Sequence, residues 1–256
     1  MWTLYKQEVY KLIKKKSTLW ITAILILTEI GAATISHLWP KTLPAQMMFV
    51  SDFHSAILVV FFSLAIAAST ITMEFQYGTI KTVLAQKYSR EYVLISKWLL
   101  MLTYTLYLYV MTMVMALFLK LVLVNGQFSL VEKGWKHQFW QDWLAAMGAH
   151  FITLWVLISL VLLIATAFKT SSVAISVGII GYFVLNLTSA ALFSVIAKYP
   201  WLKWNPLNFL NYDHQIVAEE FSKFTKLTDN QLLLGDIGYI ALFLLIGILI
   251  FRKRSV

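Results

Sequence analysis

Two carboxylates attract attention because of where they fall. Glu29 lies near the middle of the apolar run Thr18–Trp39, and Asp236 lies about one turn into another, Leu232–Phe251. An ionised carboxylate at a bilayer centre costs roughly 2.5–3.5 kcal/mol on insertion scales, so such groups face protein or a water-filled cavity. Glu29 is therefore a candidate for lining a cavity or subunit interface, or for a structural hydrogen bond. Asp236 is a second candidate for the same role, or it reaches the outer interface. Other reactive chemistry is sparse. His37, His54, His137, His150 and His214 are scattered, and no two have the i, i+4 spacing of a helical zinc site. The chain has no cysteine, which removes disulfides, thiolate metal sites and a cysteine nucleophile. It also lacks a Gly-x-x-x-x-Gly-Lys-Ser/Thr phosphate loop.

Glu219 and Glu220 form an adjacent acidic pair. In intramembrane CAAX-type proteases such a pair sits in a hydrophobic helix with an arginine three residues on. Here it lies in a polar stretch, and Lys223 follows. The chain is expected not to be an enzyme and to hold no metal or cofactor of its own.

The elements that must position these residues are membrane spans. Apolar residues make up 60% of the 256 and charged residues 13%, against about 25% charged in soluble domains. A helix needs ~20 mostly apolar residues to cross ~30 Å of hydrocarbon. Six runs qualify: Thr18–Trp39, Phe53–Met73, Trp98–Val124, Leu144–Phe168, Ser172–Ile196 and Leu232–Phe251. They lack the period-2 alternation of a membrane barrel. The third is long enough to tilt or to end in a bent segment near Lys120. The expected fold is all-α, a polytopic protein with six transmembrane helices. The first run follows a basic start without a small-residue cleavage site and reads as an uncleaved span.

The net charge of +9 is distributed unevenly. Lys6, Lys11, Lys14, Lys15 and Lys16 precede the first span. Lys81, Lys87, Arg90 and Lys97 follow the second, Lys169 lies in the short fourth loop, and Arg252, Lys253 and Arg254 close the chain. With six spans all of these share one side. The acidic residues Asp52, Glu132, Asp142, Asp213, Glu219, Glu220 and Asp229 lie opposite. The positive-inside rule then makes both termini cytoplasmic. Membrane lipid, not nucleic acid, is the partner this charge implies.

Residues 1–16 read as an interfacial amphipathic helix: Trp2, Tyr5, Val9, Leu12 and Ile13 recur at helical spacing with lysines between them. It is a topological anchor, or an element that also moves the first span. Residues 197–231 form a long extracellular loop with Tyr199, Pro200, Trp201, Trp204, Pro206, Phe209 and Tyr212. That loop re-enters the membrane or lies on its outer face, or it forms an interfacial aromatic belt.

The segment 74–97 is the most informative. It reads Glu74-Phe75-Gln76-Tyr77-Gly78-Thr79-Ile80-Lys81, then Thr82-Val83-Leu84-Ala85, then Ser89-Arg90-Glu91 and Lys97. Gly78 permits a turn with φ > 0 where a membrane helix stops, and Thr79 can cap the helix that follows. Val83 and Leu84 offer an apolar face, and the basic residues can meet acidic groups on a partner. An ordinary connecting loop would carry the same charge.

This segment resembles the permeases of the ABC-2 type. There the second span ends in an acidic residue, then Gly-Thr and a basic residue, then a short helix, a Ser-Arg pair and a lysine opening the third span. Lys87-Tyr88 departs from the family, which often has a proline before Ser-Arg. The resemblance extends over residues 1–256 as one transmembrane domain, including the Asn205-Pro206 step and the basic tail. It implies the permease subunit of an ATP-binding cassette exporter in a bacterial plasma membrane. Two such subunits, identical or related, would assemble with two ATPase subunits that hold ATP and Mg²⁺. It further implies that Glu74, Gly78, Thr79, Lys81, Ser89 and Arg90 couple to the ATPase. Small permeases of this kind serve export of, or immunity to, toxic peptides, so an amphipathic or hydrophobic solute such as an antimicrobial peptide is the expected cargo. The alternative is a membrane receptor or scaffold that senses peptide without moving it.

Overall fold

A computed structural model describes residues 2–78, 88–168 and 170–253. The chain is all-α and polytopic. In order, the helices are α1 (Trp2–Lys14), α2 (Lys16–Leu38), α3 (Ala45–Val50), α4 (Ser55–Gln76), α5 (Arg90–Val122), α6 (Phe139–Ala165) and α7 (Ser171–Lys198). After a 3₁₀ turn at Pro200–Trp204 come α8 (Pro206–Phe209) and α9 (Tyr212–Val217). A second 3₁₀ turn at Glu219–Phe221 leads to α10 (Ser222–Thr225) and α11 (Asp229–Lys253). An isolated bridge pairs Lys133 with Gln138.

Among the described residues, five helical stretches are long and apolar enough to cross a membrane: α2, α3–α4 taken together, α5, α6 and α11. The run at Ser172–Ile196 falls within α7, a 28-residue helix whose described apolar stretch is Ser172–Val184. In hydrocarbon each backbone group must be paired within the helix, and side-chain hydroxyls need acceptors as well. The spans meet that second demand locally. Thr28, Thr34, Thr72 and Thr105 each donate to the carbonyl four residues back. The third span stays helical through Lys120, which lies in its last turn: α5 runs for 33 residues and ends at Val122, about 50 Å at 1.5 Å per residue, which exceeds the ~30 Å hydrocarbon layer.

Residues fall into two compact units. The first comprises residues 1–63 and 95–143. Its core centres on Phe49, whose ring packs against Phe53, Phe128, Phe139 and Trp143 with centroids 4.8–6.0 Å away. The turn from α3 into α4 has three successive non-glycine residues at positive φ: Asp52 (47°), Phe53 (50°) and His54 (68°). Asp52 and Phe53 are fully buried there.

The second unit comprises residues 64–94 and 144–256. Within it, residues 197–231 are folded rather than loop-like. Asn205 caps α8 by accepting from Leu207 N and Asn208 N, at 2.9 and 3.1 Å, and Pro206 takes the first helical position, where its missing N–H costs nothing. The buried Asn208 amide donates to the carbonyls of Lys203 (2.8 Å) and Thr225 (2.9 Å). Gln215 donates to the Leu227 carbonyl and to Asp229, and accepts from Thr225 Oγ1. Phe209, Leu227 and Leu232 form a small core beneath these bonds, flanked by Tyr212 and Tyr239.

Gly235 on α11 is where Phe209 lies closest, and any Cβ there would collide with its ring. Gly235→Ala should therefore displace Phe209 and destabilise this cap by about 1–3 kcal/mol. A lower melting temperature in detergent, with faster proteolysis within 197–231, would register it. Gly238, which has open space around it, is the control position.

Candidate functional site

The charged end of α5 lies against α1. Lys97 is 2% exposed, and its Nζ sits 3.3 Å from Glu8 Oε2. Lys11 donates to the other carboxylate oxygen at 2.7 Å. A lone buried ammonium would carry a large desolvation cost, which a buried carboxylate with a second cation at its back offsets. Burial by itself disfavours the Glu8 carboxylate, but Lys97 and then Lys11 outweigh it and hold its pKa below the ordinary glutamate value. The buried residues of α1 are Leu4 and Glu8, one turn apart, while Trp2, Tyr10 and Ile13 are exposed. Beside this pair Tyr5 OH and Thr103 Oγ1 share a 2.6 Å hydrogen bond. Near the other end of the same span, Lys120 bonds Asn125 Oδ1 at 2.6 Å and lies over the Phe128 ring.

Glu29 is fully buried within the first unit. Among the described residues neither of its oxygens has a hydrogen-bond partner. Ser55 lies against its carboxylate without a hydrogen bond of ordinary geometry, and Asp52 lies within electrostatic range of it. Asp52 is itself buried and accepts from Trp143 Nε1 at 3.2 Å and Thr112 Oγ1 at 3.3 Å. Ser55 Oγ donates to the Asp52 carbonyl.

The residues either side of the 79–87 segment lie in the second unit. Glu74 is half-buried near the end of α4, and Gly78 follows that helix with φ +68°. Thr79 and Lys81 lie outside the described residues. Ser89 precedes α5, where its Oγ accepts from Tyr92 N at 3.4 Å. Arg90 Nη1 donates to the Arg252 carbonyl at 3.4 Å, and Arg252 Nε lies 3.2 Å from Glu91 Oε1. The Phe75 and Phe251 rings meet edge-on at 5.8 Å. The ends of α4 and α5 are thus both attached to the end of α11.

With this geometry in view, residues 10–256 match a family described as a protein of unknown function (DUF2705). The chain belongs to the DUF2705 family. No match is found among curated proteins.

In this DUF2705 chain Asp236 is 0% exposed, enclosed by protein, and among the described residues neither of its oxygens is hydrogen-bonded. The structure keeps Glu29 and Asp236 in separate units. Among the described residues no group of three or more His, Asp or Glu side chains converges in a way that would hold a metal. Sequence reasoning missed Glu8, Asp52, Glu91 and Phe251. Glu8 had one readable signal, as the lone acid in a lysine-rich helix.

The Glu8–Lys97 pair generates a test. A depressed folded pKa contributes stability that is present above the unfolded value of ~4.3 and is lost as pH falls through the folded one. Docking of α1 should therefore be constant at neutral pH and loosen below about pH 4.5. Glu8→Ala should destabilise by about 3–5 kcal/mol at pH 7, and Glu8→Gln combined with Lys97→Met should recover part of that loss. Reactivity of a cysteine placed at Leu4, followed against pH, would report the undocking.

Proposed function

We propose that this chain is the permease subunit of an ATP-driven exporter, similar to the ABC-2 type. Six spans cross the plasma membrane, α7 among them, with α1 lying in the interface and both termini cytoplasmic. Two copies, or one copy and a related chain, assemble with two ATPase subunits, which bind ATP and Mg²⁺. The cargo is an amphipathic or hydrophobic solute such as a toxic peptide. The chain itself is not an enzyme.

The observation that most supports this reading is the attachment of Phe75 and of Arg90–Glu91 to the end of α11 through Phe251 and Arg252. A segment whose two flanks are held on one helix end can pass a push from a bound ATPase into three spans together. Glu74, Gly78, Thr79, Lys81, Ser89 and Arg90 are the coupling residues in this scheme. Glu29 and Asp236, buried in separate units, are candidates to face the translocation path or to respond when it opens.

Coupling is tested by Lys81→Glu and Gly78→Val. The first opposes contact with an acidic groove, most strongly at low ionic strength, where screening is weakest. The second forces a β-branched residue to φ > 0 and redirects the chain. Both variants should insert normally, lose co-purification with the cognate ATPase and lose transport. Full ATPase binding and full transport in both would rule this segment out as the coupling element and favour a receptor or scaffold.

Orientation is tested separately, since the chain has no native cysteine. Both Val131 and Tyr77 are exposed. In intact cells a membrane-impermeant thiol reagent should label Val131→Cys and spare Tyr77→Cys. The reverse pattern would refute cytoplasmic termini.

A further inference from the structure

The first unit carries an apolar groove walled by three helices. Near α1 it encloses about 520 Å³, between Leu12 and Ile13 of α1, Leu19 and Ala23 of α2, and Leu100 and Tyr107 of α5. Through shared Ile26, Thr103 and Tyr107 it opens into a second stretch of about 790 Å³ that follows α5 as far as Phe118. From Leu100 to Met111 the floor runs about 17 Å at 1.5 Å per residue, close to the depth of one leaflet of a ~30 Å hydrocarbon layer.

Of the polar groups along the groove, the Tyr104 hydroxyl has no hydrogen-bond partner among the described residues, and the others are bonded. Tyr5 OH is joined to Thr103 Oγ1, and Thr22 Oγ1 bonds both Tyr107 OH and the Thr18 carbonyl. What the groove offers an occupant is hydrocarbon contact. In a bilayer apolar helices gain nothing from hiding such a surface from lipid, so an acyl chain fills it without competition from water.

Three lysines adjoin the groove along the chain, and the Lys14 ammonium lies over the Tyr10 ring. Lys14, Lys15 and Lys16 fall between two groove-lining residues, Ile13 and Thr18. They form a built corner. The Leu12 carbonyl accepts from both Lys15 N (3.2 Å) and Thr18 Oγ1 (2.7 Å), Lys15 is extended, and α2 begins with no side-chain cap. Lys14 and Lys16 are exposed and Lys15 half-exposed. Clustered lysines at the end of a span attract anionic headgroups. They repel a cationic peptide, and a second copy seated in the groove would bring its own lysine triplet against them.

We propose that the groove between α1, α2 and α5 binds one anionic phospholipid. Its phosphate is held at the Lys14–Lys16 corner, and one acyl chain is seated against α2 and α5. This site is independent of any ATPase partner.

The full chain, extracted from membranes and reconstituted in nanodiscs containing equal phosphatidylglycerol and phosphatidylcholine, is the material for the test. Native mass spectrometry after detergent release should show one retained phosphatidylglycerol, preferred by about tenfold or more on the basis of three juxtamembrane lysines. Lys14→Gln, Lys15→Gln and Lys16→Gln together, at surface positions that leave the helices intact, should abolish the preference while leaving a lipid of either kind. Ala23→Trp should fill the groove and remove the retained lipid altogether, with an unchanged circular-dichroism spectrum showing that the fold persists. Equal retention of the two lipids by the native chain, or an undiminished preference in the lysine variant, would overturn the proposal. So would efficient disulfide formation between two copies of Met111→Cys, which would make a second copy the occupant.

Discussion

A lysine at the end of a membrane span either reaches water or finds an acid. Lys97 does the second, and much of the first unit is arranged around that choice. Its ammonium is buried against Glu8. This requires a helix carrying Glu8 to lie alongside the start of the apolar part of α5. That helix is α1, and the corner at Lys15 follows from it, because the chain must turn from α1's course into that of a span. The groove between the three helices is in turn a product of that corner.

The second unit answers the same constraint with neutral groups. Its cap at 197–231 buries Asn208, Gln215 and Thr225, and each bonds a backbone carbonyl or a neighbouring side chain. Amides of this kind satisfy buried carbonyls without adding charge, which suits a short chain segment with no sheet to pair its backbone. Asp236 and Glu29 are the contrast, carboxyls enclosed by protein with no hydrogen bond among the described residues.

Much of the architecture was readable because hydropathy alone reports a span. The apolar runs at Thr18–Trp39 and Leu232–Phe251 lie within a residue or three of α2 and α11. The register of α1 was harder. Spacing pointed to Trp2, Tyr5, Val9, Leu12 and Ile13 as its apolar side. Tyr5, Val9 and Leu12 are half-buried beside the buried Leu4 and Glu8, whereas Trp2 and Ile13 are exposed. What spacing could not supply is the partner of Glu8, 89 residues away. The tie between Glu91 and Arg252 was invisible for the same reason. The folded state of 197–231 escaped because its order rests on amide hydrogen bonds, and no periodic pattern announces those. Asn205-Pro206 was the one local signature, and it proved to be a helix start.

The turn at Asp52, Phe53 and His54 has a consequence for how α3 is tied to α4. A left-handed conformation costs an L-residue roughly 1–2 kcal/mol, and here three occur in a row without a glycine. Trp143 and Thr112 donate to the Asp52 carboxylate, and the Phe49 aromatic cluster closes over Phe53. The direction in which α3 meets α4 therefore hangs on those few side-chain contacts rather than on local backbone preference.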